Sequence, residues 1–141
     1  MATVVQWETP GAVQSYLGAE LNSLANAAAV LGAAIDNTAG ALFMNLELYV
    51  GVQTARSAGG YVRIDICPSV DGTNYCDATA PIPTQLTQFP LDAAVTARYA
   101  TRVNLPIPPT KFKLQVTNVT GQAFAATTNT VKYTLHSEEI Q

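Results

Sequence analysis

From residue 42 onward, apolar residues recur at every second position. In 42–54, Leu46, Leu48, Val50 and Val52 fall on one side; Asn45, Glu47, Tyr49 and Gly51 fall on the other. In 61–67, Val62, Ile64 and Ile66 alternate with Arg63, Asp65 and Cys67. Residues 95–105 set Val95, Ala97, Tyr99, Thr101, Val103 and Leu105 against Thr96, Arg98, Ala100, Arg102 and Asn104. Residues 111–119 set Phe112, Leu114 and Val116 against Lys111, Lys113, Gln115 and Thr117. In 130–137, Val131, Tyr133 and Leu135 oppose Lys132, Thr134 and His136. A period of 2 marks a half-buried strand, and it predicts Tyr99 and Tyr133 in the core. Residues 75–78 and 85–89 read as shorter strands, the second an edge strand stopped by Pro90. Turn chemistry separates the runs: 57–60 (SAGG), Asp71-Gly72, the Pro-rich 106–109 and Thr120-Gly121. This pattern, without βαβ alternation, predicts an all-β protein: an antiparallel β-sandwich, jelly-roll-like.

The first 41 residues are less regular. Leu17, Leu21, Leu24, Ala28, Leu31 and Ile35 have helical spacing, and Ala favours helix. The alternative is two short strands, 21–25 and 30–36, with a turn near Asn26. Gly32 weakens the helix. Before this segment, 1–20 lacks periodicity and is broken at Pro10-Gly11, which predicts an extended N-terminal arm ahead of a sandwich at 21–141. Val4, Val5 and Trp7 cluster on the arm, and a Trp there has to dock on its own domain or on a neighbour.

A chain of 141 residues is the size of one domain. Only 12% of its residues are charged, against about 25% in an ordinary soluble domain, and Thr is abundant. That combination predicts a surface largely covered by partners. The net charge of -3 lacks the basic footprint of a nucleic-acid binder. The most apolar window, 25–35, is too short to cross a bilayer. No Lys or Arg precedes Arg56, so 1–30 has no signal-peptide n-region. Synthesis in a cytoplasm is the expectation. The acid-only first 55 residues suggest pairing of one subunit's arm with basic strands of another.

The candidate chemistry is sparse. His136 is the single histidine and reads as a surface residue near a terminus. With Cys67 and Cys76 it does not make up a zinc ligand set. Asp71, Asn74 and Asp77 are the one oxygen cluster, without an EF-hand pattern, and Asp71 is explained by its turn with Gly72. No catalytic, metal or cofactor residue is expected. Asn118-Val119-Thr120 is a sequon that reads as a turn. Cys67 and Cys76 flank an eight-residue loop: either two free thiols or a disulfide across a hairpin. Arg98 and Arg102 share one strand face, Lys111 and Lys113 another; were those strands neighbours, they would form one basic patch. Tyr49, Tyr61 and Tyr75 are the exposed aromatics a glycan-binding sandwich would use.

Four stretches carry a resemblance: IDNTAGALFMNLELYVGV (35–52), YVRIDICPSVDGTNYCDA (61–78), RYATRVNLPIPPTKF (98–112) and FKLQVTNVTGQAFAATTNTVKYTLHSEE (112–139). Together they resemble a group of small virion proteins of tailed bacteriophages, across roughly 21–139. The resemblance implies a sandwich on the capsid exterior, a decoration or cement protein made in the bacterial host cytoplasm. Its implied partners are the major capsid protein and further copies of itself, as dimer or trimer. No nucleic acid or membrane is implied. It also favours strand-turn-strand over helix in 21–37. Val4, Val5, Trp7, Arg98, Arg102, Lys111 and Lys113 are the candidate contact residues. A tail, neck or head-fibre component, or a host-glycan-binding module, is the alternative.

Overall fold

A computed structural model describes residues 3–54, 59–76, 84–92 and 96–140. Eleven strands are present among them: β1 (Val5–Trp7), β2 (Gln14–Leu17), β3 (Ala29–Leu31), β4 (Ile35–Asp36), β5 (Phe43–Val50), β6 (Tyr61–Ser69), β7 (Thr84–Pro90), β8 (Arg98–Pro106), β9 (Lys111–Val119), β10 (Thr130–His136) and β11 (Glu138–Ile140). The chain is an antiparallel all-β sandwich. One sheet runs β2-β10-β5-β8; the other runs β3-β9-β6-β7, with β4 also on β9. β1 and β11 form a separate two-stranded ribbon.

The period-2 strands behave as expected. Along β5, Met44, Leu46, Leu48 and Val50 are buried and the residues between them are half-buried. Val62, Ile64 and Ile66 of β6, with Phe112, Leu114 and Val116 of β9, supply the facing layer. Phe89 and Phe124 complete the middle of the core.

β8 departs from strict alternation. Tyr99 is 68% exposed and Val103 64% exposed, which corrects their placement in the core. The register explains it. Tyr99 lies opposite Tyr49, an outward position of β5, whereas Leu105 lies opposite the inward Met44. Between them the pairing slips by one residue beside Asn104, which has φ 57°. One extra residue inverts the parity of a strand. Counting back from Leu105 by twos therefore assigns the wrong face.

The segment 21–37 is not a helix. A single 3-10 turn, Ala19–Leu21, is followed by Ser23 (φ 58°) and Ala27 (φ 65°) in the left-handed region, and then by β3 and β4. The left-handed residues end any helical run. Backbone bonds from Ser23 to Ala125 and from Ala27 to Asn118 tie the turn down. Asn118, fully buried, organises that corner: Nδ2 donates to the Leu24 and Gln122 carbonyls, and Oδ1 accepts from Thr120. Gly32 has a reason too, since a Cβ there would lie 2.3 Å from the Tyr16 ring. The Tyr16 hydroxyl fills the gap between β3 and β4, accepting from Leu114 N–H and donating to the Ala33 carbonyl, both at 2.8 Å.

Residues 5–17 do not form the extended arm expected over 1–20. β2 is a strand of the four-stranded sheet, paired with β10. Ahead of it, Gly11 and Glu8 donate to the Leu135 and Ser137 carbonyls. Residues 5–17 thus follow β10 and β11 of their own chain.

Candidate interaction face

β5, β8 and β10 place their outward residues on one surface of the four-stranded sheet. Tyr49 and Tyr99 pack at one end, ring centroids 4.3 Å apart. Next comes a row of Glu47, Lys132 and Thr101, followed by Asn45, Thr134, Val103 and Val13. Phe43 and His136 close the other end, where Trp7 arrives from the ribbon. Tyr99, Val103, Val13 and Trp7 are each more than half exposed, as are Val4 and Val5 near the start of the chain. The depression in the middle of this face holds only about 180 Å³. Small-molecule pockets run larger, about 300–1,000 Å³. A broad, shallow, apolar surface fits another macromolecule better than a small ligand.

The ribbon end is held by aromatics. Trp7 meets Phe43 at 5.4 Å and His136 at 5.5 Å, both edge-on, and His136 stacks on Phe43 at 5.7 Å. His136 is therefore only 5% exposed, correcting its reading as a surface residue. Its Nε2 lies 3.0 Å from Asn104 Oδ1. Asn104 N–H in turn donates to Asn45 Oδ1. No spacing rule marks this cluster, because Trp7 and His136 are far apart in sequence. The signal available was a large apolar ring on a strand too short to bury it.

The four basic candidates do not form one patch. β8 pairs with β5, and β9 belongs to the other sheet. Arg98 pairs with Asp92 at 3.2 Å. Arg102 faces inward at the sheet margin, its guanidinium 5.5 Å from the Phe89 ring centre, and donates to the Gln88 carbonyl. Inward-facing charges of this kind blunt an edge strand against edge-to-edge pairing. Lys111 lies 3.8 Å from Asp36, and the Lys113 ammonium sits 4.4 Å over the Tyr75 ring. Tyr49 is on one sheet, and Tyr61 lies on a strand of the other. Tyr49 is therefore on a different sheet from Tyr61 and from Lys113, under which Tyr75 packs.

The loop after β6 is organised by Asp71. Its Oδ1 accepts from Ser69, Thr73 and Asn74, and its Oδ2 from the Asn74 amide. These bonds, led by the Asn74 and Thr73 amides, hold its carboxyl well below the usual range. They also occupy the oxygens a cation would need, and no metal-ligand cluster occurs among the described residues. Asp77 and Ala78, the second half of the short strand expected at 75–78, lie outside the described residues, and Tyr75 and Cys76 are not in a strand. Cys67 and Cys76 are free thiols, one buried and one half-buried.

No protein-family model matches the chain, and no curated protein matches it.

Proposed function

We propose that the chain is a structural virion protein, a cement or decoration protein on the capsid exterior of a tailed bacteriophage. It docks through the outer face of the four-stranded sheet and the terminal ribbon. One observation carries the reading: Tyr99, Val103, Val13 and Trp7 stand exposed on or beside one sheet face, on a chain otherwise poor in charge. The resemblance of 35–52, 61–78 and 98–139 to small phage virion proteins supports the capsid as the partner. The mechanism is added interface. A stable contact buries on the order of 1,200–2,000 Å² in total. Repeated copies on a shell, as dimers or trimers bridging major capsid subunits, gain further from avidity.

The test is to add purified protein to assembled shells that lack it, then measure co-sedimentation and locate it by electron microscopy. Density on the shell exterior is the expected result. Density at the neck, tail or a fibre would move the protein elsewhere in the virion, and absence of binding would remove the capsid reading. A glycan array tests the carbohydrate alternative; a specific hit would favour it.

A further inference from the structure

A second feature is independent of the docking face and lies on the opposite sheet. Cys67 sits on β6, cross-strand from Lys113 of β9, and is fully buried. The chain leaves β6 at Ser69, turns, and returns so that Tyr75, next to Cys76, lies under Lys113, the cross-strand neighbour of Cys67. The turn between them is fixed. Asp71 clamps Ser69, Thr73 and Asn74, the Tyr75 hydroxyl donates to the Gly72 carbonyl, and Lys113 holds the Tyr75 ring from β9. Gly72 is left-handed (φ 74°), where a side chain would be strained. The two thiols are therefore presented to each other by structure on both sides. They differ in access: Cys76 is half-buried and Cys67 is sealed.

We propose that Cys67 and Cys76 are a built-in redox staple, closed by a low-molecular-weight disulfide once the protein leaves a reducing compartment. Cys76 is the entry thiol and Cys67 the resolving one. In the first step Cys76 loses its proton to solvent and its sulfur attacks one sulfur of the oxidant. The oxidant's S–S bond breaks and one thiolate leaves with the electron pair. In the second step Cys67 gives up its proton and attacks the Cys76 sulfur. The mixed disulfide breaks and the second thiolate leaves. Both protein thiols are oxidised, and one external disulfide is reduced to two thiols. Burial, and then the adjacent Cys76 thiol, push the Cys67 thiol up to about 12. The Cys76 contribution ends once Cys76 is in the mixed disulfide, but the burial of Cys67 remains, so its thiolate is scarce at neutral pH and the second step quickens as pH rises. Proximity makes it effective despite that.

The experiment uses dithiobisnitrobenzoate on the native, reduced full chain. The expected result is release of two equivalents of nitrothiobenzoate in two phases, the second faster at higher pH. The product is two hydrogens lighter and carries no adduct by mass spectrometry. Cys67→Ser should release one equivalent and keep the adduct on Cys76. Cys76→Ser should release none until it is unfolded. A wild-type protein that keeps a stable adduct on Cys76, with Cys67 still open to alkylation after unfolding, overturns the proposal. Should Cys67→Ser fail to fold, peptide mapping of the oxidised wild type decides: a Cys67–Cys76 cross-linked peptide supports the staple, and its absence refutes it. Shell binding is not involved, so this result stands or falls apart from the capsid reading.

Discussion

The outward faces of the two sheets are built in opposite ways. On the β9-β6 face, Asp65, Cys67, Ser69 and Gln115 point away from the core yet are buried. The chain supplies part of that cover itself, with the 70–76 loop brought back by Lys113 on Tyr75. On the β10-β5-β8 face, Tyr99 and Val103 are apolar and open. One face buries polar groups under its own chain; the other exposes apolar groups that its own chain leaves bare. An exposed apolar surface carries a standing cost in water that only an intermolecular contact removes. The difference points to the four-stranded sheet as the side that meets a partner.

The sharpest way to break the comparison is at the buried polar face. Arg63 Nε lies 2.9 Å from Asp65 Oδ2, and the Asp65 side chain is 1% exposed. Arg63→Met strands that carboxylate. Removing one partner of a buried pair costs about 3–5 kcal/mol, read as a lowered urea midpoint. A change under about 0.5 kcal/mol, the size of an ordinary surface substitution, would show that this face is not sealed.

The open face should respond the other way. The double variant Tyr99→Ser, Val103→Asp should lower the unfolding free energy by no more than about 1.5 kcal/mol, the worth of the Tyr49–Tyr99 ring contact, because both side chains are otherwise exposed. Its affinity for shells should fall by at least about 2 kcal/mol, the scale of an interface hot spot. Unaltered co-sedimentation would shift the docking site off this sheet.

Trp7→Ala probes the ribbon that borders the open face. The edge contacts of Trp7 to Phe43 and His136 are worth about 0.5–1.5 kcal/mol each beyond buried area. A two-stranded ribbon is marginal alone, so the loss should appear locally. Hydrogen exchange should speed up at Val5 and over 138–140 while the β5 and β9 amides stay protected. Uniform acceleration would mean that the ribbon is part of the main cooperative unit.

Legibility in the sequence followed the same divide. β5, β6, β9 and β10 were readable because their parity is unbroken between turns. β8 was not, since a bulge at Asn104 costs one residue of phase and leaves no strong local mark; Asn tolerates φ > 0 but does not announce it. The exposed face is hidden for the same reason: strict alternation counts its two most exposed β8 residues, Tyr99 and Val103, into the core. β11 is three residues and acidic, too short for any period. Trp7 was recognisable as a ring in need of a dock, but its dock on Phe43 and His136 is a long-range fact that no window contains.

Tyr16 links the two sheets and gives the smallest effect. Its strand, β2, belongs to the four-stranded sheet, while its hydroxyl completes the ladder beside Leu114 of the other. Burial pushes the hydroxyl from 10.0 up to about 12, opposed by the Leu114 N–H bond and raised slightly further by Tyr133. The folded state therefore holds the proton more tightly than the unfolded chain. That stabilisation is complete below pH 10 and is lost as pH rises from 10 through about 12. Tyr16→Phe leaves Leu114 N–H without its partner and costs about 1 kcal/mol near neutral pH. The deficit relative to wild type should shrink as pH rises past 10, because only the wild type has this proton to lose. The variant keeps an alkaline slope of its own, since burial raises Tyr133 and Cys67 in the same direction. Paired urea titrations at about pH 8 and about pH 11 read the difference. A deficit equal at both would show that the Tyr16 hydroxyl does not seal the junction between the sheets.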